Sequence, residues 1–86
     1  MKELEKIIKA LANRRRLAVL RYLKKNKEAT VGEIAEEINL SFRATSKHLT
    51  ILATADIVEK EHRGLEMWYS LAVHQRPAAK YIISLL

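Results

Sequence analysis

The chain has 86 residues, with sixteen Lys and Arg against ten Asp and Glu, a formal net charge of +6, and no cysteine. That length suits a single domain whose core would be marginal as a monomer, so self-association would help it. The missing cysteines exclude disulfides and thiolate metal sites, and the charge favours polyanionic partners without choosing between DNA and RNA.

Leu4, Ile7, Ile8 and Leu11 recur at i, i+3, i+4 and i+7 and predict an amphipathic first helix. Asn13 is a suitable cap for a second helix that opens on Arg14, Arg15 and Arg16. Cations there oppose the helix dipole at a cost of a few tenths of a kcal/mol each, which points to a use elsewhere. That use is either a phosphate or, for Arg16, a structural ion pair. Lys24, Lys25 and Lys27 sit at the helix's far end, where cations are locally favourable and need no further role. Residues 1–27 hold ten cations and two Glu, whereas residues 28–40 hold four Glu and no cation. The acidic third helix is therefore expected to point away from nucleic acid. It places Val31, Ile34, Ala35 and Ile38 inward, with Thr30 and Glu33 spaced as a capping box. Asn39 and Leu40 form a tight connection, and Ser41 can cap a fourth helix.

That fourth helix carries the strongest signal. At about 100° per residue, Ala44, Thr45, His48, Leu49, Leu52 and Ala55 fall inward, with Ile51 at the edge. Arg43, Ser46, Lys47, Thr50 and Thr54 fall outward. The outer face has two cations, three hydroxyls and no acid, and so suits phosphates and base edges. Phe42, at its rim, either meets a thymine methyl or covers the core. His48 reads as a half-buried, hydrogen-bonded histidine. Two helices joined by so short a turn, the second cationic outside, make a helix-turn-helix unit.

Residues 57–63 and 65–71 are two strand-like runs joined around Gly64, with Leu65, Met67, Tyr69 and Leu71 alternating against Glu66, Trp68 and Ser70. A hairpin in that place is a wing. Trp68 is expected to pack on a helix. Arg63 and His62 flank the glycine, where a basic tip can enter a minor groove or simply stay solvated. The last helix starts near Pro77 and runs to Leu86, apolar nearly all round, so it needs cover on more than one side. Nothing suggests an enzyme: two glycines are too few for a phosphate cradle, and no nucleophile motif is present. No apolar run approaches the roughly 18 residues of a membrane span, no signal peptide is evident, and the expected compartment is the cytoplasm.

Three stretches together resemble the ArsR-type winged-helix repressors. These are Leu11-Ala12-Asn13 with Arg16-Leu17-Ala18-Val19-Leu20, then Thr30 through Ala35, then Ser41 through Leu52 with its core Ser46-Lys47-His48-Leu49. The hairpin ending Trp68-Tyr69-Ser70-Leu71 extends the resemblance over residues 4–86. It implies a mainly α (α+β) fold, a winged helix-turn-helix of about five helices with a two-stranded hairpin wing. Residues 1–86 would form one domain, with the helix-turn-helix at 31–55 and the wing at 57–71. Residues 1–12 and 74–86 would supply dimerisation helices that bury Leu4, Ile7, Ile8, Leu11, Ile82, Ile83, Leu85 and Leu86; the alternative is a last helix that only closes its own domain. The implied function is a homodimeric regulator of transcription, a repressor, that binds double-stranded DNA through Arg43, Ser46, Lys47, Thr50 and Phe42, with Arg63 and His62 at the wing. The chain departs from the family at Arg14, where proline is common, at Phe42, where a polar residue faces DNA, and at Leu65-Glu66, where basic residues are frequent. Those wing residues favour the alternative of a protein-interaction module; a ligand-sensing regulator is a third reading. Thr30 and Gly32 stand where metal-sensing members carry cysteines, His74 is alone in the last helix, and no acid follows Glu66. No metal and no cofactor are therefore expected.

Overall fold

The computed structural model describes residues 1–86. In chain order it contains α1 (Lys2–Leu11), α2 (Arg14–Asn26), β1 (Glu28–Thr30), α3 (Val31–Glu37), α4 (Phe42–Thr54), β2 (Val58–Arg63), β3 (Glu66–Leu71) and α5 (Pro77–Ser84). The helix boundaries are set by side-chain caps. Asn13 Oδ1 accepts from the backbone N–H groups of Arg15 and Arg16 at 2.9 and 3.0 Å. At α3 the capping box is complete: Glu33 N–H donates to Thr30 Oγ1 at 3.2 Å and Thr30 N–H to Glu33 Oε1 at 2.8 Å. The turn into α4 passes through Asn39 at φ 54°, a left-handed conformation that asparagine tolerates well. Leu40 N–H then donates back to Ala35 O at 3.0 Å, which keeps the two helices close.

The sheet contains the expected two-stranded hairpin wing, β2–β3, and one short strand more. It has three antiparallel strands in the order β1-β3-β2, with Glu28 opposite Ser70 and Thr30 opposite Trp68. Three residues are too few to show a strand's alternation, so β1 is a strand only because a partner far along the chain completes its hydrogen bonds. Ala29, facing Tyr69, is 1% exposed. The β2–β3 hairpin closes through Gly64 at φ 60° and Leu65, with Arg63 opposite Glu66. Glycine leads this two-residue turn, where a positive φ lets the turn follow the strand twist. Tyr69 is buried and Met67 and Leu71 are half-buried, whereas Leu65 sits in the turn, wholly exposed. Trp68 lies on the opposite face of the sheet, beneath the Arg63 guanidinium and apart from the core.

One core joins all the layers. Val19, Leu20 and Leu23 of α2 meet Ile34, Leu49, Leu52 and Ile57, none more than 1% exposed. Ile7 and Leu11 of α1 and Ile83 of α5, expected at a dimer interface, belong to the same core, so their burial needs no partner. Ile82 and Leu86 are half-buried against it. Leu4, Ile8 and Leu85 remain 44%, 52% and 65% exposed. A helical stripe at i, i+3, i+4 and i+7 is wide enough to be shared between a core and a surface.

Candidate nucleic-acid interface

Ser41 Oγ accepts from Ala44 N–H at 3.1 Å and fixes the start of α4. The helix's inner face then anchors it, with Thr45, Leu49 and Leu52 fully buried; the Thr45 hydroxyl has no hydrogen-bond partner. Arg43, Lys47, Thr50 and Thr54 are exposed, Ser46 is half-buried, and Phe42 is 62% exposed, so Phe42 does not cover the core. Neither Arg43 nor Lys47 takes part in any of the chain's four ion pairs. Both cations are free to meet an external anion.

The arginine triplet of α2 divides. Arg16 turns inward and satisfies the end of α1, with Nε donating to Ala10 O at 2.6 Å and Nη2 to Lys9 O at 3.2 Å. Those carbonyls carry the negative end of the α1 dipole, so the cation is well placed there. The bond is to backbone, where an ion pair was one of the expectations. Arg16 Nη1 also lies 3.2 Å from His48 Nδ1, which makes His48 the expected half-buried, hydrogen-bonded residue. Since guanidinium only donates, Nδ1 accepts and the imidazole proton sits on Nε2. Burial, then the neighbouring charges of Arg16 and Arg15, hold the His48 imidazole below the usual histidine range. Arg14 lies elsewhere, in an open groove of about 510 Å³ shared with Arg21, Tyr22 and Lys25. Lys24 Nζ donates to Ile83 O and Ser84 O at 3.1 and 3.3 Å, tying α2 to the end of α5.

Two cations that sequence reasoning passed over stand beside α4. Lys6 and Lys9 line a shallow cleft of about 330 Å³ with Thr50, Ile51 and Thr54. The basic bias of residues 1–27 was visible, but nothing local told which lysines of α1 would lie next to the fourth helix.

The wing carries a different electrostatic character. Arg63 holds Glu28 in a two-pronged contact, Nη1 to Oε2 at 3.1 Å and Nη2 to Oε1 at 2.7 Å. It also bonds Glu61, through Nε at 3.0 Å and Nη2 at 2.7 Å. Its guanidinium lies 4.9 Å from the centre of the Trp68 ring. Hydrogen bonding from Arg63 lowers the Glu28 carboxyl below the usual carboxylate range, and the same pairs raise Arg63 further. To touch DNA, Arg63 would have to give up both carboxylates. His62 is exposed on the other face of β2, opposite Met67. No three His, Asp or Glu side chains cluster as metal ligands, and no helix is long and apolar enough to cross a membrane.

Comparisons with known proteins agree with this geometry. A family model described as a helix-turn-helix domain matches residues 11–61. The transcriptional repressor SdpR of Bacillus subtilis is 35% identical over 65 residues, covering 76% of this chain and 71% of the relative. The transcriptional activator HlyU of Vibrio cholerae is 36% identical over 66 residues, 77% of this chain but 60% of its own length. The structure of reduced HlyU superposes with a TM-score of 0.83 at 32% identity, over 99% of this chain and 85% of that one. A homodimeric winged helix-turn-helix DNA-binding domain from Mycobacterium bovis, described as a possible ArsR-family regulator, superposes with a TM-score of 0.84 at 27% identity, over 98% of this chain and 75% of that one. The chain belongs to the helix-turn-helix family, among the winged-helix transcriptional regulators of ArsR type.

Proposed function

We propose that this chain is a cytoplasmic, homodimeric transcriptional repressor that reads double-stranded DNA with α4. The outer face of α4 carries this reading: Arg43 and Lys47 are exposed and unpaired among hydroxyls, with no carboxylate on the face. Recognition helices direct their N-terminal residues at base edges, so Arg43, Ser46 and Lys47 meet bases, and Thr50 meets a base or a phosphate. Lys6, which is unpaired, and Lys9, which exchanges its exposed pair with Glu5 for a phosphate, extend the positive surface along α1. Duplex affinity is expected to fall with a log–log salt slope of about −0.9 for each phosphate neutralised. Arg43→Ala together with Lys47→Ala should cost about 1–3 kcal/mol for each base edge that is no longer read. Unchanged affinity in that double variant would remove α4 as the reader.

Dimerisation is supported by what the core leaves uncovered: Leu4, Ile8, Tyr81 and Leu85 on α1 and α5 are 44%, 52%, 66% and 65% exposed. A two-fold dimer implies an inverted-repeat site with half-site centres about 10 or 20 base pairs apart. Ile8→Glu with Leu85→Glu places charge outside the core and should give folded monomers by sedimentation; a wild-type chain that stays monomeric at high concentration rules the dimer out. Repression is the sense in which SdpR is named, whereas HlyU is named an activator. A promoter fusion carrying the duplex that the protein enriches from a random-sequence pool is expected to fall silent when the protein is supplied.

A further inference from the structure

Between the start of α4 and the wing tip lies a small notch of about 270 Å³ and mixed character, where the apolar side chains of Val31, Phe42, Leu65 and Met67 meet Thr30, Gly32 and Glu66. Phe42 is 62% exposed and Leu65 wholly so. Two large apolar side chains that face water contribute little to folding, and here they sit together next to the free cations of α4. Gly32 adds an independent observation. It is the second residue of α3, where no left-handed backbone angle calls for glycine. A Cβ there would meet only Thr30 Oγ1, at 4.0 Å, so packing does not demand glycine. Gly32 lines the notch and takes up none of it with a side chain of its own.

What would occupy the notch follows from its chemistry. Glu66 and the apolar walls disfavour a phosphate. On the major-groove edge of base pairs the one apolar group is the C5 methyl of thymine. Phe42 is the first residue of α4, at the end of the helix that approaches base edges. We propose that Phe42, walled by Leu65, receives a thymine methyl and makes the notch a specificity element of the DNA-binding surface. The inference rests on α4 being the DNA-facing helix. It also gives a use to the position where this chain departs from a polar residue.

The test uses the full chain and the duplex that it enriches from a random-sequence pool, with each thymine replaced in turn by deoxyuridine, which removes only the methyl. One thymine in each half-site is expected to be sensitive, its replacement weakening wild-type binding about fourfold, the equivalent of about 0.8 kcal/mol for one buried carbon. Phe42→Ser should bind the thymine and uracil duplexes equally, and Gly32→Leu, which fills the notch while leaving Phe42 in place, should also abolish the discrimination. Both side chains lie outside the core, and a melting curve checks that the variants fold. Discrimination that survives intact in Phe42→Ser overturns the proposal. Salt-steep duplex binding that is blind to every methyl overturns it while leaving α4 as the reader. If no duplex is bound at all, the α4 reading falls, and the notch proposal falls with it.

Discussion

The outer face of α4 and the outer face of the wing both present exposed cations next to a turn, and the fold treats them in opposite ways. Arg43 and Lys47 have no ion-pair partner, while Arg63 is gripped by Glu28 and Glu61 above Trp68. The difference lies in how each face is assembled. One continuous segment supplies the whole outer face of α4, so its local composition is its electrostatics. Three strands build the wing face, and its decisive carboxylate, Glu28, arrives from β1, far back in the chain. On the outer face of α4 a cation's availability to DNA is thus legible in the local sequence, and on the wing it is not.

Arg16 tests the other side of this contrast, because it is a cation consumed inside the fold. Its bonds to Ala10 O, Lys9 O and His48 involve a charged donor, for which each contact contributes roughly 1.5–3 kcal/mol. Because the site is part-buried, Arg16→Ala is expected to cost about 2–3 kcal/mol in all, a drop of roughly 10–20 °C in Tm for a domain of this size. Arg16→Lys should be milder. A variant that melts with the wild type would return Arg16 to the pool of free cations.

Converting the wing into a face like that of α4 is the direct way to break the comparison. Arg63→Ala should leave duplex affinity within about twofold, since the side chain is already occupied; a loss as large as that of Lys47→Ala would show that the wing reads DNA after all. Glu28→Gln with Glu61→Gln should free Arg63, raise duplex affinity a few-fold and steepen the salt slope by about 0.9 if one phosphate is captured. The fold should survive, because exposed ion pairs contribute little to stability.

Smallest is the pH effect. His48 has a lowered pKa in the folded chain, so the unfolded chain takes up its proton first as pH falls. Stability is therefore full above about pH 6.5 and declines as pH drops below it toward the folded value. His48→Gln should flatten that decline. Glu28, lowered in the same direction from 4.5, contributes stability that is present above about that pH and lost as pH falls through its folded value, so its loss begins at a lower pH than that of His48. Melting curves between pH 4 and 8 should resolve the first; a flat wild-type curve across that range would contradict it.

Much of the fold was legible because helices are governed locally. Asn13, Thr30 with Glu33, Ser41 and Pro77 marked the helix starts as found, and the outer face of α4 followed from its periodicity. The hairpin around Gly64 was equally visible. His48 was rightly placed inside, although its arginine partner was not foreseen.

What tertiary structure alone decided involves pairs of segments distant in the chain. The short β1 exists because β3 completes its ladder, and the Glu28–Arg63 contact exists because β1 does. The apolar stripe of α1 is split between core and surface by where α5 lands, which makes Ile7 and Leu11 internal and leaves Leu4 and Ile8 exposed. Lys6 and Lys9 join the α4 surface, and Phe42 meets Leu65 across the notch, by the same packing. Sequence determines what a single helix can present; which distant charge cancels it, or which distant side chain completes it, is fixed only when burial of the common core brings the segments together.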